Sequence, residues 1–179
     1  TRCGRDWSSD VCSSDLTLNI ETVAGVLATT TGADGLVTVD MGPANLEWRQ
    51  IPLAVEADTL HLDIENGPLR DPVAVNIGNP HMVFFVDDAD AIDVAGLGPA
   101  LESHPLYPER TNVEICSLSG PDQLRMRVWE RGAGITQACG SGACAAVAHG
   151  AQLGLLDPDV TVHLPGGKLT VSWQGAQER

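Results

Sequence analysis

Residues 130–150, ERGAGITQACGSGACAAVAHG, pass from the end of a strand through a glycine-rich connector into an alanine-rich helix. The strand ends at Trp129 and Glu130. The helix is predicted over 142–153, opened by Gly140 and Ser141 and stopped by Gly154. A helix N-terminus presents unpaired N–H groups and roughly half a positive charge. Cys139 stands there, and such a place stabilises a thiolate, lowers the thiol pKa and makes the group reactive. Gly140 and Gly142 let the backbone approach a ligand closely. The N–H groups of Gly140 and Gly142, with that of Ser141, can hold a carboxylate. Cys139 is therefore a candidate for acid/base or nucleophilic work beside an anion site; spacing alone leaves open a purely structural strand-to-helix turn. Cys144, inside the helix, is expected to face the core. A phosphate loop is excluded because the only lysine is Lys168. Gly132-Ala133-Gly134 lacks the third glycine of a dinucleotide fingerprint.

Around this segment strand-like runs outnumber helices. Alternation marks 17–30, 35–41 and 59–64 (TLHLDI), with a turn signal at TTGADG. β-rich runs at 73–77 and 82–86 flank the loop Gly78-Asn79-Pro80-His81. Runs at 112–118 and 124–130 flank SGPDQ, and 160–164 and 169–173 form a hairpin across PGGK. A short second helix is predicted over 93–104 despite Pro99. Strands and helices do not alternate regularly, so the expected class is α+β, a mixed or largely antiparallel sheet wrapped on a central helix. In the GNPH loop Asn-Pro is a turn device first; the Asn79 amide can also bind a carboxylate or amine, and His81 can tune a neighbouring thiol. Arg110-Thr111-Asn112 opens a strand, where arginine is usually a surface residue and asparagine turn chemistry.

The composition is globular: 179 residues, 43% hydrophobic and 19% charged. A formal net charge of −14 argues against nucleic acid or an anionic membrane as partner. No apolar run is long enough for a spanning helix and no secretory pattern is visible. The cysteines, Cys3, Cys12, Cys116, Cys139 and Cys144, are odd in number and form no CxxC. Reduced thiols in a cytoplasm are expected, not a disulfide framework or a zinc ribbon.

Residues 1–16, TRCGRDWSSDVCSSDL, share no period with the rest of the sequence. Residues 6–16 look like the translation of a short-read sequencing adapter, so 1–16 is expected to be foreign to the fold, and Cys3 and Cys12 with it. A polar native tail is the alternative.

Together GNPH at 78–81, ERTN at 109–112, ERGAGITQACGSGACA at 130–145 and LPGGKL at 164–169 resemble the diaminopimelate epimerases. Proline racemases are a weaker match. The resemblance implies the family's fold, two similar α/β halves with the site between them. It implies interconversion of LL- and meso-2,6-diaminopimelate, for lysine and peptidoglycan precursors, by two cysteines on opposite faces of the substrate α-carbon. Neither pyridoxal phosphate nor metal is implied. Carried over residue by residue, Cys139 is the second proton-transfer cysteine, and Gly140 and Ser141 hold the carboxylate of the reacting end. Asn79, Asn112, Glu130 and Arg131 contact substrate, Arg131 at the distal carboxylate, while His81 and Glu130 tune the thiols.

The family's first cysteine lies in a CGNG-type motif, which this sequence lacks: Cys3-Gly4 is followed by Arg5-Asp6, and Cys116 lies in a strand-like run. The expected organisation is 17–45 as the tail of a first half and 46–179 as a second half without its closing strand. The 179-residue chain is accordingly expected to be inactive alone. The whole enzyme is expected to be a homodimer. A non-enzymatic small-anion binding module remains an alternative.

Overall fold

The computed structural model describes residues 16–22, 25–32 and 34–175. The expectation of a foreign segment over 1–16 lies outside the described residues, Leu16 excepted. The chain divides into two units, Thr1–Asp40 and Met41–Arg179.

In the first unit β1 (Leu16–Thr22), β2 (Gly25–Thr31) and β3 (Val37–Val39) form an antiparallel sheet in chain order. The alternating run 17–30 folds back on itself, pairing Thr22 with Gly25. Gly25 has φ 124°, a conformation open to glycine and strained for other residues. The expected turn at TTGADG joins β2 to β3, where the Asp34 carboxylate accepts from the Leu36 N–H at 3.0 Å.

The second unit opens with the short hairpin β4 (Glu65–Asn66) and β5 (Leu69–Arg70). There follow β6 (Val73–Asn76), β7 (Pro80–Phe85), α1 (Val94–Glu102), β8 (Asn112–Gly120) and β9 (Gln123–Glu130). The chain continues through β10 (Gly134–Ile135), α2 (Gly140–Gln152), β11 (Asp159–Leu164) and β12 (Gly167–Ser172). One sheet runs β12-β11-β9-β8-β7-β6, with β10 on β9. The pairs β7/β8 and β9/β11 are parallel and the others antiparallel, so the sheet is mixed.

The sequence class is the one observed, α+β. The central helix is α2, whose Ala143, Ala146 and Val147 pack on Val83, Cys116, Met126 and Val162 of one sheet face. Small alanines let helix and sheet approach closely. The other face is covered as well: Val94 and Leu101 of α1, with Ile51, Leu53, Leu62 and Ile64 of the preceding loop, pack on Met82, Phe84, Val113 and Ile115. Burial on both faces makes β8 inaccessible at six consecutive positions, 112–117.

One run reads differently in three dimensions. The alternating TLHLDI at 59–64 forms no strand. Thr59, Leu62 and Ile64 are buried, but the backbone closes on itself and on the ends of β6: Ile64 N–H donates to Leu62 C=O at 2.8 Å and Ala74 N–H to Thr59 C=O at 2.8 Å. Alternating burial with isolated backbone bonds to Pro72 and Ala74 gives no ladder. Pro80 and His81, expected in a loop, begin β7 instead.

Candidate active site

Parallel pairing of β7 with β8 places His81 opposite Asn112. Glu130 follows Trp129, which pairs with Val113 of β8. These three residues thus lie along one line across three strands, at the end of the sheet where α2 begins. Cys139 is the N-cap of α2, in extended conformation (φ −138°, ψ 110°), and Gly142 N–H donates to its Sγ at 3.4 Å. Ser141 Oγ lies 3.6 Å from the same sulfur. The helix therefore begins at Gly140, two residues earlier than the sequence suggests, and the cysteine itself caps it.

The expected lowering of the thiol pKa does not occur. Burial pushes the Cys139 thiol up to about 11, and the nearby charges of Glu114 and, less, Glu130 push the same way; the Ser141 and Gly142 donors oppose this without prevailing. Desolvation outweighs the helix terminus because the residue is only 7% exposed. Cys139 is thus a thiol near neutrality, a form suited to giving a proton.

Behind it stands an acid that the sequence reading missed, Glu114, joined to the expected His81. His81 and Glu114 are both fully buried, with Nδ1 of the ring 2.7 Å from Glu114 Oε1. The other ring nitrogen, Nε2, is 2.9 Å from Asn79 Oδ1. With its oxygen turned to His81, Asn79 keeps its NH2 group for another acceptor. Glu114 also abuts α2: a Cβ built on Gly142 would stand 2.6 Å from Glu114 Oε1 and 3.1 Å from Cγ. Glycine at 142 is therefore a requirement of this close approach. Alternation in β8 was the only local sign of Glu114, and it reads there as an ordinary outward residue.

Asn112 joins the two remaining motifs. Its Nδ2 donates to Pro80 C=O at 2.9 Å, and its Oδ1 accepts from Arg131 N–H at 2.9 Å. The amide thus straps GNPH to the ERGAG turn, leaving one N–H for other use. Arg131 is half-buried, and its guanidinium donates to Glu109 C=O at 3.1 Å. Thr136 Oγ1 donates to the Glu130 carboxylate. Gly140 is exposed and Ser141 half-buried. Glu102, also missed, organises the turn from below: it accepts from Trp129 Nε1 at 2.7 Å, Gly132 N–H at 2.9 Å and Arg110 at 3.0 Å. The Trp129 bond is the leading cause holding its carboxyl below the usual range. Cys144 is only half-buried, packed against the core cluster around α2, where burial pushes its thiol up to about 11. Cys116 is fully buried and its thiol is pushed far up. The structure therefore brings Asn79, His81, Asn112, Glu130, Arg131, Cys139, Gly140 and Ser141 to one end of the sheet.

A profile of the family described as diaminopimelate epimerase matches residues 73–179. The diaminopimelate epimerase of Rhodospirillum centenum is 51% identical over 175 residues, which is 98% of this chain and 60% of that protein. That of Erythrobacter litoralis is 51% identical over 155 residues, 87% of this chain and 57% of that protein. The chain belongs to the diaminopimelate epimerase family. It spans about three fifths of the length of these curated relatives.

Among solved structures, a hydroxyproline epimerase from Agrobacterium vitis shares the fold at TM-score 0.64 with 16% identity, over 96% of this chain and 56% of that one. A probable proline racemase from Agrobacterium radiobacter K84 aligns at TM-score 0.62 with 14% identity, over 90% of this chain and 53% of that one. These likenesses place the fold among racemase and epimerase structures. Among the described residues no group of three or more His, Cys, Asp or Glu is arranged to hold a metal, and no helix is long and apolar enough to cross a membrane.

Proposed function

We propose that this chain supplies one side of a pyridoxal-independent diaminopimelate epimerase site, in which Cys139 is one of two proton-transfer groups. The observation that carries the reading is the placement of a thiol as the cap of α2, its sulfur 3.4 Å from Gly142 N–H, in a chain of this family. An amino-acid α-proton is very weakly acidic, and one base would return it to the face it left. Inversion needs a base on one face and an acid on the other, with aimed N–H dipoles for the developing negative charge. In one direction a thiolate from outside this chain's described residues removes the α-proton. The S–H of Cys139 gives its proton to the opposite face of the carbanion. The Cys139 thiolate left behind accepts from Gly142 N–H and Ser141 O–H. The reverse direction exchanges the roles.

The backbone N–H groups of Gly140 and Ser141 receive the carboxylate at the reacting centre. Asn79 offers its NH2 group, and the Arg131 guanidinium pairs with the distal carboxylate. Asn112 and Glu130 take the remaining polar groups of a substrate carrying two ammonium and two carboxylate groups. The reaction serves lysine and peptidoglycan precursor synthesis in the cytoplasm, by a homodimer of the whole enzyme, without metal or cofactor. With no CGNG-type cysteine, the 179-residue chain holds one of the two groups and does not invert substrate alone.

Deuterium exchange at the α-carbon of LL-diaminopimelate tests this. The chain alone is expected to show none. A fusion carrying the preceding part of the Rhodospirillum centenum relative ahead of Thr17 is expected to exchange and invert, and to lose inversion with Cys139→Ser. Inversion by the unfused chain, or a fusion indifferent to Cys139→Ser, refutes the reading. A fusion that inverts proline derivatives and not diaminopimelate moves it to a proline racemase-like activity.

A further inference from the structure

We propose that Glu114 is a positioning residue of the proton-transfer site: closed on His81 and wedged against Gly142 in the first turn of α2, its buried carboxylate sets whether Cys139 holds its proton. The inference deepens the reading of Cys139 as a proton-transfer group and rests on it.

Three observations converge. Glu114 and His81 are both fully buried and joined at 2.7 Å, so a carboxylate is held at a defined place in the interior. That place is the first turn of α2, since the carboxylate occupies the space that a side chain on Gly142 would need. Gly142 supplies the N–H that reaches Cys139 Sγ. One helix terminus thus faces two potential anions, and its field and N–H groups are shared between them. While Glu114 is ionised, a second negative charge on the sulfur is disfavoured. Glu114 Oε1 is taken by His81, and among the described residues Oε2 has no hydrogen-bond partner. The ionisable groups facing the thiol are Glu114 from β8 and Glu130 from the end of β9. Glu130 has Thr136 Oγ1 as a donor. The ionisable groups around Glu114 are His81, Cys139, Cys116 and Tyr107. The arrangement adds Glu114 to Glu130 as an acid facing the thiol, with His81 as its hydrogen-bonded partner.

The test needs no substrate, so its failure is separate from failure of the epimerase reading. Iodoacetamide alkylation of the 179-residue chain is followed against pH, resolved by peptide mass spectrometry at Cys139, Cys144 and Cys116. Glu114→Gln removes the charge and nearly preserves the shape. Its Cys139 is expected to react about tenfold faster at pH 8.5, as for a thiol pKa about one unit lower, with Cys116 still protected. Glu114→Asp keeps the charge, and its Cys139 is expected to stay within about twofold of the parent, since the charge and not the chain length sets the thiol. An unmoved Cys139 profile in Glu114→Gln overturns the proposal. Equal acceleration at Cys139 and Cys116 in both variants also overturns it, because Glu114 would then be a packing group.

Discussion

His149 gives this chain an acid-sensitive core. It lies in the last turn of α2 and is fully buried beside Phe85, and among the described residues neither ring nitrogen has a hydrogen-bond partner. Two effects oppose each other there. A cation at a helix C-terminus is favoured by up to about 2 kcal/mol, but burial disfavours any charge. Burial wins and, with the charge of His61 adding to it, brings His149 down to about 4. The unfolded chain returns the imidazole to an ordinary value near 6.5. Between these values the unfolded state binds a proton that the folded state refuses, so stability falls as pH drops below about 6.5 and the loss levels off below about 4. The full effect is about 3 kcal/mol, of which about 2 kcal/mol is already lost at pH 5.

The assay is urea unfolding followed by tryptophan fluorescence at pH 7.5 and pH 5, for the parent and for His149→Leu, which has similar volume and no titrating group. Carboxylates contribute to both proteins alike, so the difference between them isolates His149. The parent is expected to lose about 2 kcal/mol more than the variant over this interval. Equal losses within about 0.5 kcal/mol would refute the reasoning and mean that His149 is solvated or paired in solution.

Other outcomes are expected from the same structure. Gly98→Ala gains up to about 1 kcal/mol of helix propensity. Its Cβ would, however, stand 2.4 Å from the Trp129 ring. Displacing that ring breaks its bond to Glu102, so a net loss of about 1–3 kcal/mol is expected in denaturant titration. Gly142→Ala must push Glu114 aside and part it from His81; a destabilisation of about 2 kcal/mol and loss of the buried His81–Glu114 bond, read from imidazole nitrogen NMR, are expected. The parent Cys139 is expected to react with iodoacetamide at neutral pH more slowly than a free cysteine, its rate still rising between pH 9 and about 11. A plateau by pH 8 would show an activated thiolate instead.

Much of the architecture was legible in local pattern. The runs 112–118 and 124–130 became β8 and β9, and the hairpin across PGGK formed as expected, because a strand's alternation and its turn residues lie within a few positions of one another. The helix beginning at the CGSG sequence was legible for the same reason: a capping side chain, glycines and an alanine run are neighbours in the chain. The motifs GNPH, ERTN and ERGAG, with Cys139, were singled out together, and the fold draws them to one end of one sheet.

The roles of other residues depended on pairings between distant segments. TLHLDI has strand periodicity, but its backbone bonds to itself and singly to Pro72 and Ala74 instead of forming a ladder. The parallel pairings of β7 with β8 and of β9 with β11 leave no local trace, since register is chosen by burial on both faces. Glu114 sits in a run that reads as an ordinary alternating strand; only His81, 33 residues earlier, and the first turn of α2 make it a buried partnered acid. Glu102 likewise gains its role from a turn 30 residues later. The state of Cys139 divides the two levels most clearly. Its place at a helix N-terminus is written in neighbouring residues and favours a thiolate. Its burial, and the acid packed behind it, come from long-range packing, and desolvation with a nearby negative charge outweighs the helix terminus, leaving a thiol.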